Sequence, residues 1–188
     1  NARALVVASK LYLKTKKPEM LELAKVYLRY MSYVQDEDGK FLNIVSKDKT
    51  IHKNSWSEEA HCRAIQALGT VIPSHAITDE ARKEAKEMFL KAIPLAEEIH
   101  APRALASAII GLHHYNKENY SEQIIRTIKR FANRLTDSYD ENASSDWKWF
   151  EKEMTYSNSK LSEALLYAYM STRERKYPTD FISFFDNV

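Results

Sequence analysis

The sequence predicts an all-α chain organised as an (α/α) toroid of helical hairpins, and three observations carry that expectation. Glycines number three and prolines five in 188 residues, too few for the turns of a sheet protein of this size. A short pattern recurs four times: Arg3-Ala4-Leu5, Arg63-Ala64-Ile65, Arg103-Ala104-Leu105 and Glu163-Ala164-Leu165. Finally, segments apolar nearly all round alternate with segments apolar along one stripe, as helices buried on several sides alternate with helices buried on one. Repetition of that alternation at about 40 to 60 residues suits a ring or solenoid of hairpins, each burying its apolar surface against the next.

The inner helices come first. Each copy of the pattern opens an apolar run, such as ALVVASKLYL, ALASAIIGL and ALLYAYM. Four residues after each alanine stands Ala8, Leu68, Ala108 or Ala168, one turn further along the same face. That face stays small or aliphatic, and close packing against a neighbour is expected. The first inner helix is predicted over 2–14, and a chain that starts inside a helix with Asn1 rather than methionine is expected to be a fragment or a processed product.

The outer helices are striped. Pro18 to Val34 aligns Leu21, Ala24, Leu28 and Met31; Thr78 to Ile99 aligns Ala81, Ala85, Met88, Ala92, Leu95 and Ile99; Ser121 to Leu135 aligns Ile124, Ile125, Ile128, Phe131 and Leu135. Thr78 ahead of Asp79 and Glu80, and Ser121 ahead of Glu122, are start signals of the capping and dipole kind. Pro94 is expected to kink its helix. A further short outer helix is predicted over 178–188.

Two connections are long, 35–55 and 136–159. The first carries Asp38-Gly39 between Tyr33-Val34 and Phe41-Leu42, the signature of a hairpin turn or extended lobe. Both lead from an outer helix into the next inner one, so both are expected to lie on one rim, where site-bearing loops collect.

Bulk properties remove several functions. The net charge of +2 is the difference between 28 basic and 26 acidic residues spread along the chain, which leaves no electrostatic footprint for nucleic acid. Apolar runs are broken well before the roughly 20 residues of a membrane span, and without a signal peptide a cytoplasmic location is expected. Cys62 is the single cysteine, so no internal disulfide framework exists; packing as a small buried group is expected of it. No metal or other cofactor is expected. HExxH and zinc-spaced Cys/His pairs are absent, and the glycine of Asp36-Glu37-Asp38-Gly39 comes too early for an EF-hand. His52, His75, His100, His113 and His114 read as ordinary surface or core histidines. Phosphate-loop and nucleophile-elbow motifs are also missing.

Two blocks could carry chemistry. Asp146-Trp147-Lys148-Trp149-Phe150-Glu151, followed by Thr155-Tyr156 and Asn158, joins two carboxylates to two indoles in a loop. Indole faces stack on pyranose rings while carboxylates bind hydroxyls or move protons; the competing reading has the tryptophans plugging the end of the core. Trp56-Ser57-Glu58-Glu59-Ala60-His61 enters an inner helix, and His61, three residues after Glu58, shares its face. Helix capping alone explains Ser57 and the acidic pair, but it requires neither Trp56 nor His61. All three tryptophans of the chain fall within these blocks.

With the DGKFLN turn at 38–43, the segments SEEAHCRAIQALG at 57–69 and DWKWFEKEMTYSNSKLSEALL at 146–166 resemble, in order and spacing, a bacterial family of six-hairpin glycosidase-like helical domains, several of whose members are associated with glycosyltransferases. The resemblance covers most of the chain. It implies a single domain over 1–188 supplying about four hairpins of a six-hairpin ring, and it suggests the C-terminal part of a longer protein with inner-helix starts at the mouth of a funnel. It further implies a carbohydrate-active domain of glycoside-hydrolase type with an acidic, Trp-lined cleft. In that cleft Asp146, Glu151, Glu58 and Glu59 would be candidate acid and base, and Trp56, His61, Trp147, Trp149, Tyr156 and Asn158 would contact the sugar. The alternative is a non-catalytic helical scaffold that binds a glycan or a partner protein beside an adjoining transferase domain. Burial of Trp147 and Trp149 would count against stacking.

Overall fold

The structure, a computed structural model, describes residues 1–177, apart from the side chain of Glu97. Among the described residues seven α-helices follow one another: α1 (Ala2–Thr15), α2 (Pro18–Val34), α3 (Glu58–Val71), α4 (Asp79–Ala92), α5 (Pro102–Asn116), α6 (Glu122–Asn142) and α7 (Ser159–Thr172). The all-α expectation holds among the described residues, where extended pairing is limited to three isolated antiparallel bridges inside 35–56. The short helix predicted over 178–188 lies outside the described residues.

Local chemistry sets the helix limits. Pro18 and Pro102 stand at the first helical position of α2 and α5, where the missing N–H costs nothing and φ is already helical. The Ser57 hydroxyl accepts from Ala60 N at 3.3 Å and that of Thr78 from Ala81 N at 3.4 Å, each satisfying an otherwise unpaired first-turn donor. Two expected limits move. The helix predicted over 78–99 is α only to Ala92, and 93–98 tightens to 3₁₀ because Pro94 has no N–H to continue the ladder. In the other direction α6 runs to Asn142, past the predicted Leu135. The extra turns bury Tyr139 against Phe150, with ring centroids 5.3 Å apart.

Successive contacts join α1 to α3, α3 to α5 and α5 to α7, while α2 packs on α1, α4 on α3, and α6 on both α5 and α7. The most intimate pairing is α3 with α5. A Cβ placed on Gly69 would meet Gly111 O at 2.1 Å, and one on Gly111 would meet Ile65 O at 2.5 Å, so these two backbones touch where any side chain would separate them. Ala64, Ala104 and Ala164 of the repeated pattern are buried as expected, whereas Ala4, on the first helix, is half-buried. Arg3, Arg63, Arg103 and Lys160, near the starts of α1, α3, α5 and α7, border a common cavity. The four helices therefore present their N-terminal ends on one rim. Among the described residues no helix is long and apolar enough to cross a membrane.

Candidate functional site at the inner-helix rim

The segment between α2 and α3 folds onto this rim through packing. Asp36 Oδ1 accepts from Asp38 N at 3.0 Å and Lys40 N at 2.7 Å, closing a turn in which Gly39 takes φ +93°. No side chain fits there, since an added Cβ would lie 2.4 Å from Lys91 O. Beyond the turn, Phe41 and Leu42 are buried. His61 is fully buried between the rings of Phe41 and Trp56, at 5.8 and 6.0 Å. Its Nε2 lies 3.1 Å from Ala92 O, and its Nδ1 accepts from Phe41 N at 3.4 Å. The carbonyl needs a donor and the amide an acceptor, which selects the neutral Nε2–H imidazole, and burial holds the pKa below its ordinary value. The expected sugar contact of His61 is thus replaced by a packing role.

Glu58 is also engaged structurally. Its Oε2 accepts from His100 N at 3.1 Å and Ala101 N at 2.7 Å, so the carboxylate covers exposed donors at the start of α5. Behind it the Cys62 thiol is buried, and desolvation together with the Glu58 charge pushes its pKa up.

The segment between α6 and α7 divides in two. Trp149 and Phe150 are fully buried and meet edge to face at 5.4 Å. Trp149 offers no face to a ligand, which corrects the stacking role expected of it. Trp147 is half-buried and donates from Nε1 to Glu151 O at 2.7 Å. Asp146 is exposed and makes no hydrogen bond to the described residues. From Glu151 onward the segment turns polar and closes on Arg103. This guanidinium, 9% exposed, donates to Tyr156 O at 2.5 Å, Glu151 Oε1 at 2.5 Å and Asn158 Oδ1 at 3.0 Å. It also lies 4.9 Å from the centre of the Tyr156 ring. Tyr156 in turn donates its hydroxyl to Glu59, a bond that raises the phenol's pKa. The other Glu59 oxygen accepts from Arg63 Nη2 at 2.7 Å.

Of the ten residues expected to form the site, Glu59, Glu151, Tyr156 and Asn158 therefore join one network. Arg63 and Arg103, which did not figure among the ten, hold that network together. They stand in the repeated pattern, and the signal was present in the sequence: the first residue of three of its four copies is arginine.

Three cavities open along this rim. A small one of about 50 Å³ is bordered by Arg3, Arg63, Gln66, Arg103, Ser107, Tyr156, Ser157 and Lys160. One of about 250 Å³ shares Arg3, Arg63, Gln66 and Lys160 and adds Val6, Val7 and Ala67. The third, about 230 Å³, shares Arg3 and Arg63 and reaches Tyr30, Phe41 and Asn43. Among the described residues no aspartate, glutamate or tryptophan borders any of the three. The groove is basic, where an acidic, Trp-lined cleft was expected: Glu58, Glu59 and Glu151 are held outside its lining by guanidinium groups, a phenol or backbone amides. Among the described residues no cluster of three or more His, Cys, Asp or Glu could hold a metal.

No protein-family model matches the chain, and a search of curated proteins returns no match.

Proposed function

We propose that this chain is a carbohydrate-binding domain of the six-hairpin (α/α) toroid type, which holds a saccharide in the rim groove without hydrolysing it. The observation that carries this reading is the preorganised network around Tyr156. A 47% exposed aromatic ring stands among guanidinium, amide and hydroxyl groups contributed by Arg63, Gln66, Arg103 and Ser107. An amphipathic ring flanked by fixed polar groups matches the alternating apolar and hydroxyl surfaces of a sugar.

Glycoside hydrolysis calls for two carboxyl groups facing one bond, one protonated and one ionised. Glu58 is bound to two amides, Glu59 to Arg63 and Tyr156, and Glu151 to Arg103, and none of the three borders the groove. An adjoining transferase acting on the bound glycan fits the same reading.

The test is calorimetric titration of the 188-residue chain with a panel of oligosaccharides, alongside an assay for released reducing ends. Binding without hydrolysis is expected, with affinity lowered about tenfold in Tyr156→Ala, the equivalent of roughly 1.4 kcal/mol. Release of reducing ends would restore the hydrolase reading. A chain that binds none of the panel would leave the protein-scaffold reading in its place.

A further inference from the structure

We propose that the sugar bound in this groove is anionic, and that its carboxylate or phosphate group enters the cavity of about 50 Å³ between Arg3, Arg63, Gln66 and Ser107. The inference rests on the carbohydrate reading and specifies its ligand.

Charge placement is the first argument. Four cations from four different helices border this cavity, Arg3 of α1, Arg63 of α3, Arg103 of α5 and Lys160 of α7, and no carboxylate does. The carboxylates that pair with them, Glu59, Glu151 and Glu163, lie outside the lining. Cations thus line the space while their counter-charges lie outside its lining. Four helix N-termini on the same rim add positive partial charge in the same direction.

Uncommitted hydrogen-bonding capacity is the second. Arg103 already gives one N–H from each of its three nitrogens to Tyr156, Glu151 and Asn158, so it serves mainly as a wall. The Arg3 side chain has no hydrogen bond or ion pair among the described residues, and Arg63 commits one terminal nitrogen to Glu59 and lies 6.0 Å from the centre of the Tyr156 ring. The Gln66 amide has no side-chain partner there either. Ser107 is only 7% exposed and borders the cavity, and its hydroxyl has no hydrogen-bonded partner among the described residues. Its hydroxyl, open to the cavity with nothing to bond in the protein, is satisfied by what enters the space. The groups with donors to spare are the Arg3 and Arg63 guanidiniums, a hydroxyl and an amide, all able to donate, as an oxyanion requires.

Size is the third. At about 10–15 Å³ for each water-sized occupant, the cavity holds a few atoms: room for one carboxylate or phosphate and too little for a pyranose. The adjoining cavity of about 250 Å³, sharing Arg3, Arg63, Gln66 and Lys160 and walled by Val6, Val7 and Ala67, can take the ring.

The test compares a neutral gluco-oligosaccharide, an oligouronate, glucose 1-phosphate and inorganic phosphate by calorimetry at fixed ionic strength. The wild-type chain is set beside Arg3→Gln, Ser107→Ala and Lys53→Gln, the last an exposed control on the first rim segment. An acidic sugar should bind at least tenfold more tightly than the neutral one. Arg3→Gln and Ser107→Ala should erase most of that preference, while Lys53→Gln leaves it. Preference for the oligouronate or for glucose 1-phosphate identifies the acidic group. Equal binding of neutral and acidic sugars in every variant would overturn the anionic inference and keep the carbohydrate reading. Inorganic phosphate binding as tightly as glucose 1-phosphate, with no neutral or uronate sugar bound, would overturn the carbohydrate reading and keep an anion site. No binding of any probe would overturn both.

Discussion

The two rim segments look alike in sequence, each placing tryptophan beside two carboxylates, yet the structure employs them differently. Segment 35–57 is an anchor. It commits Phe41 and Trp56 to packing around the fully buried His61, and the neighbouring Glu58 ties α3 to the start of α5. Segment 143–158 is an anchor for its first half, through Trp149 and Phe150, and a clamp for its second, through Glu151, Tyr156 and Asn158 on Arg103. What separates anchor from clamp is the partner each motif meets in the fold. A tryptophan–carboxylate motif names neither role by itself.

The largest expected effect breaks the anchoring half of the second segment. Trp149→Ala removes a fully buried indole and should cost about 3–5 kcal/mol, read as a lower midpoint in urea unfolding. A loss below about 1 kcal/mol would mean that the segment is not anchored by its indole.

Next comes the clamp. Arg103→Met leaves the Glu151 carboxylate without its cation. Oε2 of Glu151 is already buried and lacks a hydrogen-bond partner among the described residues. Removing one member of a largely buried pair should cost about 3 kcal/mol. The double variant Arg103→Met/Glu151→Leu should recover much of that loss, because the stranded charge is gone. Additive losses in the double variant would show that the two side chains are not coupled.

Glu58→Leu sharpens the contrast at smaller scale. The variant leaves the amides of residues 100 and 101 without their acceptor, and loss of a helix-start acceptor typically costs about 1 kcal/mol. Hydrogen exchange should speed up at those two amides while the amides around Trp147 stay protected. Uniform acceleration across both segments would deny the separate roles.

Acid separates the two segments as well. His61 is held neutral by burial, its folded pKa depressed below the ordinary 6.5. In acid the unfolded chain takes up a proton that the folded chain resists, so stability is full above about pH 6.5 and falls as pH drops below it. The Phe41 amide, which donates to His61 Nδ1, should therefore lose exchange protection on acidification before the amides of 144–147 do, once intrinsic exchange is corrected for pH. Simultaneous loss would remove His61 as the local trigger.

How much of this was legible in the sequence follows from periodicity and partner choice. The helices and their order were legible because apolar spacing is a local property, and Thr78 and Ser57 cap where the sequence placed helix starts. The limit of α6 was not, since residues 136–142 are drawn into helix by the burial of Tyr139 against Phe150, a tertiary contact. In the candidate site, sequence supplied Glu59, Glu151, Tyr156 and Asn158 but missed that the two carboxylates would be paired with arginines. Arg63 and Arg103 sit 88 and 48 residues from Glu151, and only the packing of α3 against α5 brings both to the clamp. The repeated arginine was in plain view, read for the alanine beside it.

The smallest expected effect on stability is the most telling for function. Tyr156→Phe deletes the hydroxyl that donates to Glu59 and keeps the ring beside Arg103. Because Tyr156 is exposed and Glu59 retains Arg63, stability should change by less than about 0.5 kcal/mol, as for most surface substitutions. Saccharide affinity should fall only slightly if the ring stacks on the sugar, since the stacking surface is intact; Tyr156→Ala, which removes that surface, supplies the scale. Measured on one panel, a Phe variant close to wild type and an Ala variant about tenfold weaker assign binding to the aromatic face. If the Phe variant is as weak as the Ala variant, the hydroxyl and its bond to Glu59 are what the sugar needs. The clamp would then act by fixing a polar group, and the exposed ring would have no part in recognition.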